Sequence, residues 1–170
     1  MILLVDQSGS MASSVVYSSV FGAVMASLKS IKTQMIVFDT AVVDLTEHLT
    51  DPVELLFGTQ LGGGTDINKA LGYTQQQIRT PNDTILVLIS DLYEGGNERE
   101  MLKRTAILKS SGVQMITLLA LDDQGAPMFD KDNAAKFSVL GIPTFACTPD
   151  QFPDLMAAAI KKEDLQQWMS

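Results

Sequence analysis

Three short stretches hold the residues best suited to chemistry. The first is "DQSGS" at 6–10, where an acid and two alternate hydroxyls directly follow the apolar run "ILLV". In an extended turn, Ser8 and Ser10 can point their hydroxyls the same way as the Asp6 carboxylate, and Gly9 lets the chain bend between them. The product is a small all-oxygen cup that suits a hard divalent cation. An ordinary helix cap accounts for the same serines, which would then accept from the amides of a following helix. The second stretch is "GGGTD" at 62–66. Its glycines allow close backbone approach and Thr65 offers a neutral oxygen, although Thr65 or Asp66 also reads as a cap. The third is Asp91, which ends the run "ILVLIS" and supplies a second carboxylate; alone it reads as a turn or helix cap. Each cap explains one loop. A single cation explains all three.

Elements that end in the right place are needed to bring these loops together. Apolar runs rich in β-branched residues predict strands at 2–6, 33–39, 41–46, 84–90, 113–121 and 143–147. The second and third are close enough for a tight hairpin. Helical spacing predicts a helix over 11–30, where Val20, Val24, Leu28 and Ile31 share a face. Further helices are predicted at "DPVELLF" with Pro52 in its first turn, from Asp66 to about Arg79, at 97–112 closed by Gly112, at 131–141, and at 149–168 around Pro153. This alternation predicts an α/β fold: a doubly wound, Rossmann-like, mostly parallel six-stranded sheet with one antiparallel edge strand and helices on both faces. Such sheets bind ligands beyond the carboxyl ends of their strands, where the strand order reverses. Asp6 and Asp91 both stand at such ends.

The totals restrict the function. A chain of 170 residues with 46% hydrophobic and 19% charged residues fits one globular domain, here taken as 1–170. The formal net charge of −8 argues against nucleic acid as a partner and against adsorption to a bilayer surface. The single Cys147 allows neither an internal disulfide nor a cysteine zinc site, and points weakly to a reducing compartment. No apolar run approaches the ~18 residues of a membrane helix, and no signal peptide is visible. The first strand begins at residue 2 with no cap, as expected of a domain cut from a longer protein.

The ordered set "DQSGS", "GGGTD" and "ISD" resembles the von Willebrand factor A (VWA) family with its metal-ion-dependent adhesion site. That pattern is Asp-x-Ser-x-Ser after the first strand, Thr in a later loop and Asp after the fourth strand. The matching positions are Asp6, Ser8, Ser10, Thr65 and Asp91, and none is missing. The resemblance covers nearly the whole chain and implies a bound Mg²⁺, with Mn²⁺ or Ca²⁺ as substitutes. Two carboxylates would roughly neutralise such an ion and leave it electrophilic, so that a partner's Asp or Glu can replace a bound water. The implied function is metal-mediated protein binding, not catalysis. Gly64, Asp66, Tyr93 and Glu94 would form the rim. Glu94 has two readings: favouring the N-terminus of the next helix, or discouraging an incoming carboxylate. The compact length, the lack of a disulfide and "SDLYEGG" look similar to intracellular bacterial VWA proteins that work with MoxR-type AAA+ ATPases. That resemblance implies a cytoplasmic setting and an AAA+ system as partner.

A second reading comes from enzymes. Haloacid-dehalogenase-like phosphatases also place an Asp after the first strand, which would make Asp6 the nucleophile, with Ser90, Lys103 or Lys109, and Asp122 with Asp123 in supporting roles. Against it, Ser8 stands where the second acid belongs, and "GGGTD" has no task. A Walker-type nucleotide loop would need a Lys after "LGGGTD", which is absent. His48 lacks any G-x-S-x-G partner and reads as a surface or packing residue. Cys147 and Trp168 read as packing residues.

Overall fold

The computed structural model describes residues 1–14, 32–46, 63–121, 128–146 and 151–165. Most of the predicted helix over 11–30, the "DPVELLF" helix, His48, Asp122, Asp123, Cys147 and Trp168 lie outside these residues. The strands are β1 (Ile2–Asp6), β2 (Gln34–Phe38), β3 (Val42–Asp44), β4 (Ile85–Ser90), β5 (Gln114–Leu119) and β6 (Thr144–Phe145). The helices are α1 (Ile67–Gln77), α2 (Glu98–Ser110), α3 (Lys131–Val139) and α4 (Phe152–Ile160). A 3-10 turn follows β1 at Gly9–Ser14.

The six strands form one sheet in the order β3-β2-β1-β4-β5-β6. All neighbours are parallel except β2 and β3, the expected antiparallel edge. The chain leaves β1 for β2 on one side and later returns to β4 on the other. The carboxyl ends of β1 and β4 therefore flank the point where strand order reverses, the usual place for a ligand in such sheets.

Period-two alternation divides each apolar strand between two cores. Leu3, Val5, Met35, Val37, Val87 and Ile89 face one side, where Leu155, Met156 and Ala159 of α4 cover them. Ile2, Leu4, Ile36, Phe38, Leu86 and Leu88 face the other, under Ile67 and Leu71 of α1, Met101 of α2 and Phe137 of α3. Burial on both faces explains why these strands read as unbroken apolar runs.

Three helix ends follow from local chemistry. Gly112, at φ 108, lies just past α2, and Gly141, at φ 81, just past α3; both adopt the left-handed backbone that glycine tolerates best. The last helix departs from expectation: it ends at Ile160, not at 168. Lys162 turns left-handed at φ 57, and the amides of Lys162 and Glu163 donate to Ala159 and Ala158 at 3.0 Å each. This double closure stops the helix without glycine and returns Leu165 to the core, where it is 5% exposed.

Candidate metal centre

The site begins with register. Val5 pairs with Ile89, so one step further Asp6 stands level with Ser90. The Ser90 hydroxyl donates to Asp6 Oδ2 at 2.6 Å, and the Ser8 amide donates to Asp6 Oδ1 at 2.9 Å. Ser8 and Ser10 bring their hydroxyl oxygens to 3.1 Å. The Ser10 hydroxyl also faces the Asp91 carboxylate, whose Oδ1 accepts from the Tyr93 amide at 3.2 Å. The first and third stretches therefore meet as expected: Asp6, Ser8, Ser10 and Asp91 form one cluster.

The second stretch is drawn in by backbone. The Gly9 amide donates to the Gly63 carbonyl at 2.8 Å, and the Gly95 amide to the Thr65 carbonyl at 2.9 Å. Thr65, 8% exposed, is thus tied through its loop to both of the others. Gly95 is a close approach, because a Cβ there would stand 2.9 Å from the Thr65 carbonyl oxygen.

The electrostatics are those of two acids kept from water. Burial pushes the Asp6 carboxyl up to about 6; hydrogen bonds from Ser90 and Ser8 oppose the rise, and the charge of Asp91 adds to it. Burial also pushes Asp91 up, opposed by Ser10 and the Tyr93 amide and assisted by Asp130. Asp91 Oδ2 is buried and has no hydrogen-bond partner. A buried, unpaired carboxylate oxygen beside a second buried carboxylate is costly unless a cation offsets it. Among the described residues, no three His, Cys, Asp or Glu side chains gather to hold a metal, so a cation here would depend on hydroxyls as well as carboxylates. Two carboxylates with Ser and Thr oxygens form a hard-donor set that fits Mg²⁺ or Mn²⁺.

The rim residues divide. Tyr93 is 48% exposed beside the site, and Gly64 is exposed. Asp66 is the N-cap of α1, its carboxylate accepting from the Lys69 amide at 2.9 Å. Glu94 does serve a helix N-terminus, but of α1 and not of the helix that follows it in sequence. Its carboxylate accepts from the amides of Ile67 at 3.0 Å and Asn68 at 2.9 Å. A sequence reading looks forward along the chain and misses a cap that crosses between loops. Two further residues were not expected in this setting. One is Ser90, as donor to Asp6. The other is Asp39, which ends "IVFD" as Asp6 ends "LLVD" and gave the same strand-end signal.

Of the residues in the phosphatase reading, Ser90 stands beside Asp6, and both lysines belong to α2. Lys103 is exposed on α2, and Lys109, at the far end of that helix, donates to the Leu140 carbonyl at 2.8 Å.

Sheet order and strand-end site together define a VWA-type fold, and solved structures agree. The von Willebrand factor type A structure from Catenulispora acidiphila matches with a TM-score of 0.65 at 11% identity, over 94% of this chain and 42% of that one. An aerotolerance-related membrane protein from Bacteroides fragilis matches at 0.69 and 16% identity, over 95% and 98%. The manganese-loaded TRAP protein of Plasmodium vivax matches at 0.62 and 17% identity, over 85% and 66%. Within this fold, the chain belongs to the family of VWA domain containing CoxE-like proteins, whose pattern matches residues 1–156. It is also 41% identical over 157 residues to the uncharacterized protein YehP of Escherichia coli K12, and spans 42% of that protein's length.

Proposed function

We propose that this VWA domain is a metal-dependent, non-catalytic protein-binding module. Asp6, Ser8, Ser10, Thr65 and Asp91 would hold one divalent cation, Mg²⁺ by preference, with Mn²⁺ or Ca²⁺ as substitutes. When bound, the cation supplies an electrophilic position that an Asp or Glu of the partner completes. The observation that carries this reading is the orphaned, buried Asp91 Oδ2 beside the buried Asp6 carboxylate. The manganese-loaded state of TRAP, a fold relative, is consistent with a cation in this fold. Tyr93 and Gly64, both exposed, suit the rim of the contact. Following the sequence resemblance, the partner is assigned to an AAA+ ATPase system, and the setting to the cytoplasm. Among the described residues, no helix is long and apolar enough to cross a membrane.

The test is calorimetric titration of Mn²⁺ and Mg²⁺ into metal-stripped protein, beside Asp91→Ala. Saturable one-to-one binding by the wild type, lost in the variant, supports the module. Absence of binding in the wild type refutes it.

A further inference from the structure

Thr65 differs from the other donors in how it is positioned. Asp6, Ser8, Ser10 and Asp91 follow directly from strands, whereas Thr65 sits at the end of a glycine-rich loop that enters a helix. Glycines make such a loop costly to order, so something must hold it. Two carboxylates grip it from opposite sides of the site.

Asp39, beyond the end of β2, is 8% exposed. Its Oδ2 accepts from the Gly63 amide at 3.1 Å and its Oδ1 from the Ala41 amide at 2.7 Å. Its own carbonyl accepts from the Asp66 amide at 3.0 Å. The approach is close: a Cβ at position 63 would lie 2.5 Å from Asp39 Oδ2, so the carboxylate would have to shift. On the other flank, Glu94 takes the first two amides of α1, immediately after Thr65 and Asp66, and a third from Gly96 at 3.1 Å. Glu94 belongs to the loop that also carries Asp91, so this grip ties the Thr65 loop to Asp91 itself. Both carboxylates spend their oxygens on amides. These bonds order the loop that carries Thr65.

We propose that Asp39 and Glu94 are positioning residues for the cation site, fixing the Thr65 loop against the loops of Asp6 and Asp91. The inference rests on the function proposed above. Outer partners of metal ligands typically influence affinity by about 10–100-fold, and a two-sided grip on one donor falls in that range.

The experiment compares wild type, Glu94→Ala, Glu94→Gln, Asp39→Ala and Asp39→Asn in two measurements. One is Mn²⁺ affinity by calorimetry. The other is amide hydrogen exchange over residues 63–68 in metal-free protein, with circular dichroism as the check on folding. Each alanine variant is expected to weaken Mn²⁺ binding by about 10–100-fold and to speed exchange over 63–68. Gln and Asn keep one acceptor oxygen and should recover part of both effects, which also covers an alanine variant that fails to fold. Wild-type affinity in folded Glu94→Ala and Asp39→Ala overturns the proposal. So does complete loss of binding in Glu94→Ala with unchanged exchange, which would make Glu94 a ligand. If the wild type itself binds no Mn²⁺, the proposed function fails and the role of the grip toward a cation fails with it. Faster exchange in the variants would then show that the grip exists for the loop alone.

Discussion

The two ends of the sheet differ in what they leave unpaired. At the amino end lie cavities of about 370 and 570 Å³, lined in common by Met1, Lys32, Asp83 and Thr84. Lys32 and Asp83 are exposed, and the Thr84 hydroxyl donates to the Thr80 carbonyl at 2.8 Å. The carboxyl end holds Asp6, Asp39 and Asp91, all buried, and the orphaned Asp91 Oδ2. Hollow shape is cheap where strands merely begin. Buried charge is expensive wherever it stands, and it persists where something offsets it. The second end is therefore the one to test.

The sharpest way to break the contrast is Asp91→Ala, which removes the unpaired oxygen. It is expected to abolish Mn²⁺ binding, at least ~100-fold on the scale of losing a ligand, while circular dichroism stays native. Next comes Gly63→Ala, whose new methyl must displace the Asp39 carboxylate. Its Mn²⁺ affinity should fall by about 10-fold, less than for Asp91→Ala, in the same titration.

A third test uses protons. Asp6 titrates near 6 when folded, against an ordinary carboxylate value of 3.8. A raised folded pKa means the native state holds the proton longer than the unfolded chain. Metal-free stability should therefore fall as pH rises from about 4 to about 6, and level off above. Asp6→Asn should flatten that slope and stabilise the metal-free protein at pH 7 by roughly 1–3 kcal/mol, read from urea unfolding at several pH values. Saturating Mn²⁺ should remove the wild-type decline, because the bound cation favours the charged carboxylate. The smallest effect belongs to the other end: Lys32→Ala should leave Mn²⁺ affinity unchanged and shift stability by no more than ~0.5 kcal/mol. A change in binding there would erase the contrast.

Much of the carboxyl end was legible in the sequence because its donors sit beside strand ends, and strand ends are where apolar runs stop. "ILLVD" and "ILVLISD" announce both the element and the acid that leaves it. The antiparallel edge was legible from the short gap between "MIVFD" and "VVD". Glu94 was not, because its partners, Ile67 and Asn68, lie more than 25 positions earlier, at separations of 27 and 26. Local pattern has no access to a cap that arrives from another loop. The last helix was overextended for a similar reason. "AAAIKKEDL" keeps good helical propensity, and the stop comes from Lys162 turning left-handed so that Leu165 can pack. Ser90 was visible but overshadowed by the acid beside it; only the pairing of β1 with β4 shows that it faces Asp6.

The sheet's margins carry one more consequence. Among the described residues, β3 at one margin has three residues and β6 at the other has two. Asp44 on β3 is exposed, and its carboxylate is held by Thr46 and Tyr73. Strands so brief, one of them charged, give a visiting chain almost no ladder to join. Among the described residues, neither margin favours docking by strand addition. Under the proposed function, recognition would be gathered at the tips of the strands and not spread along a ribbon.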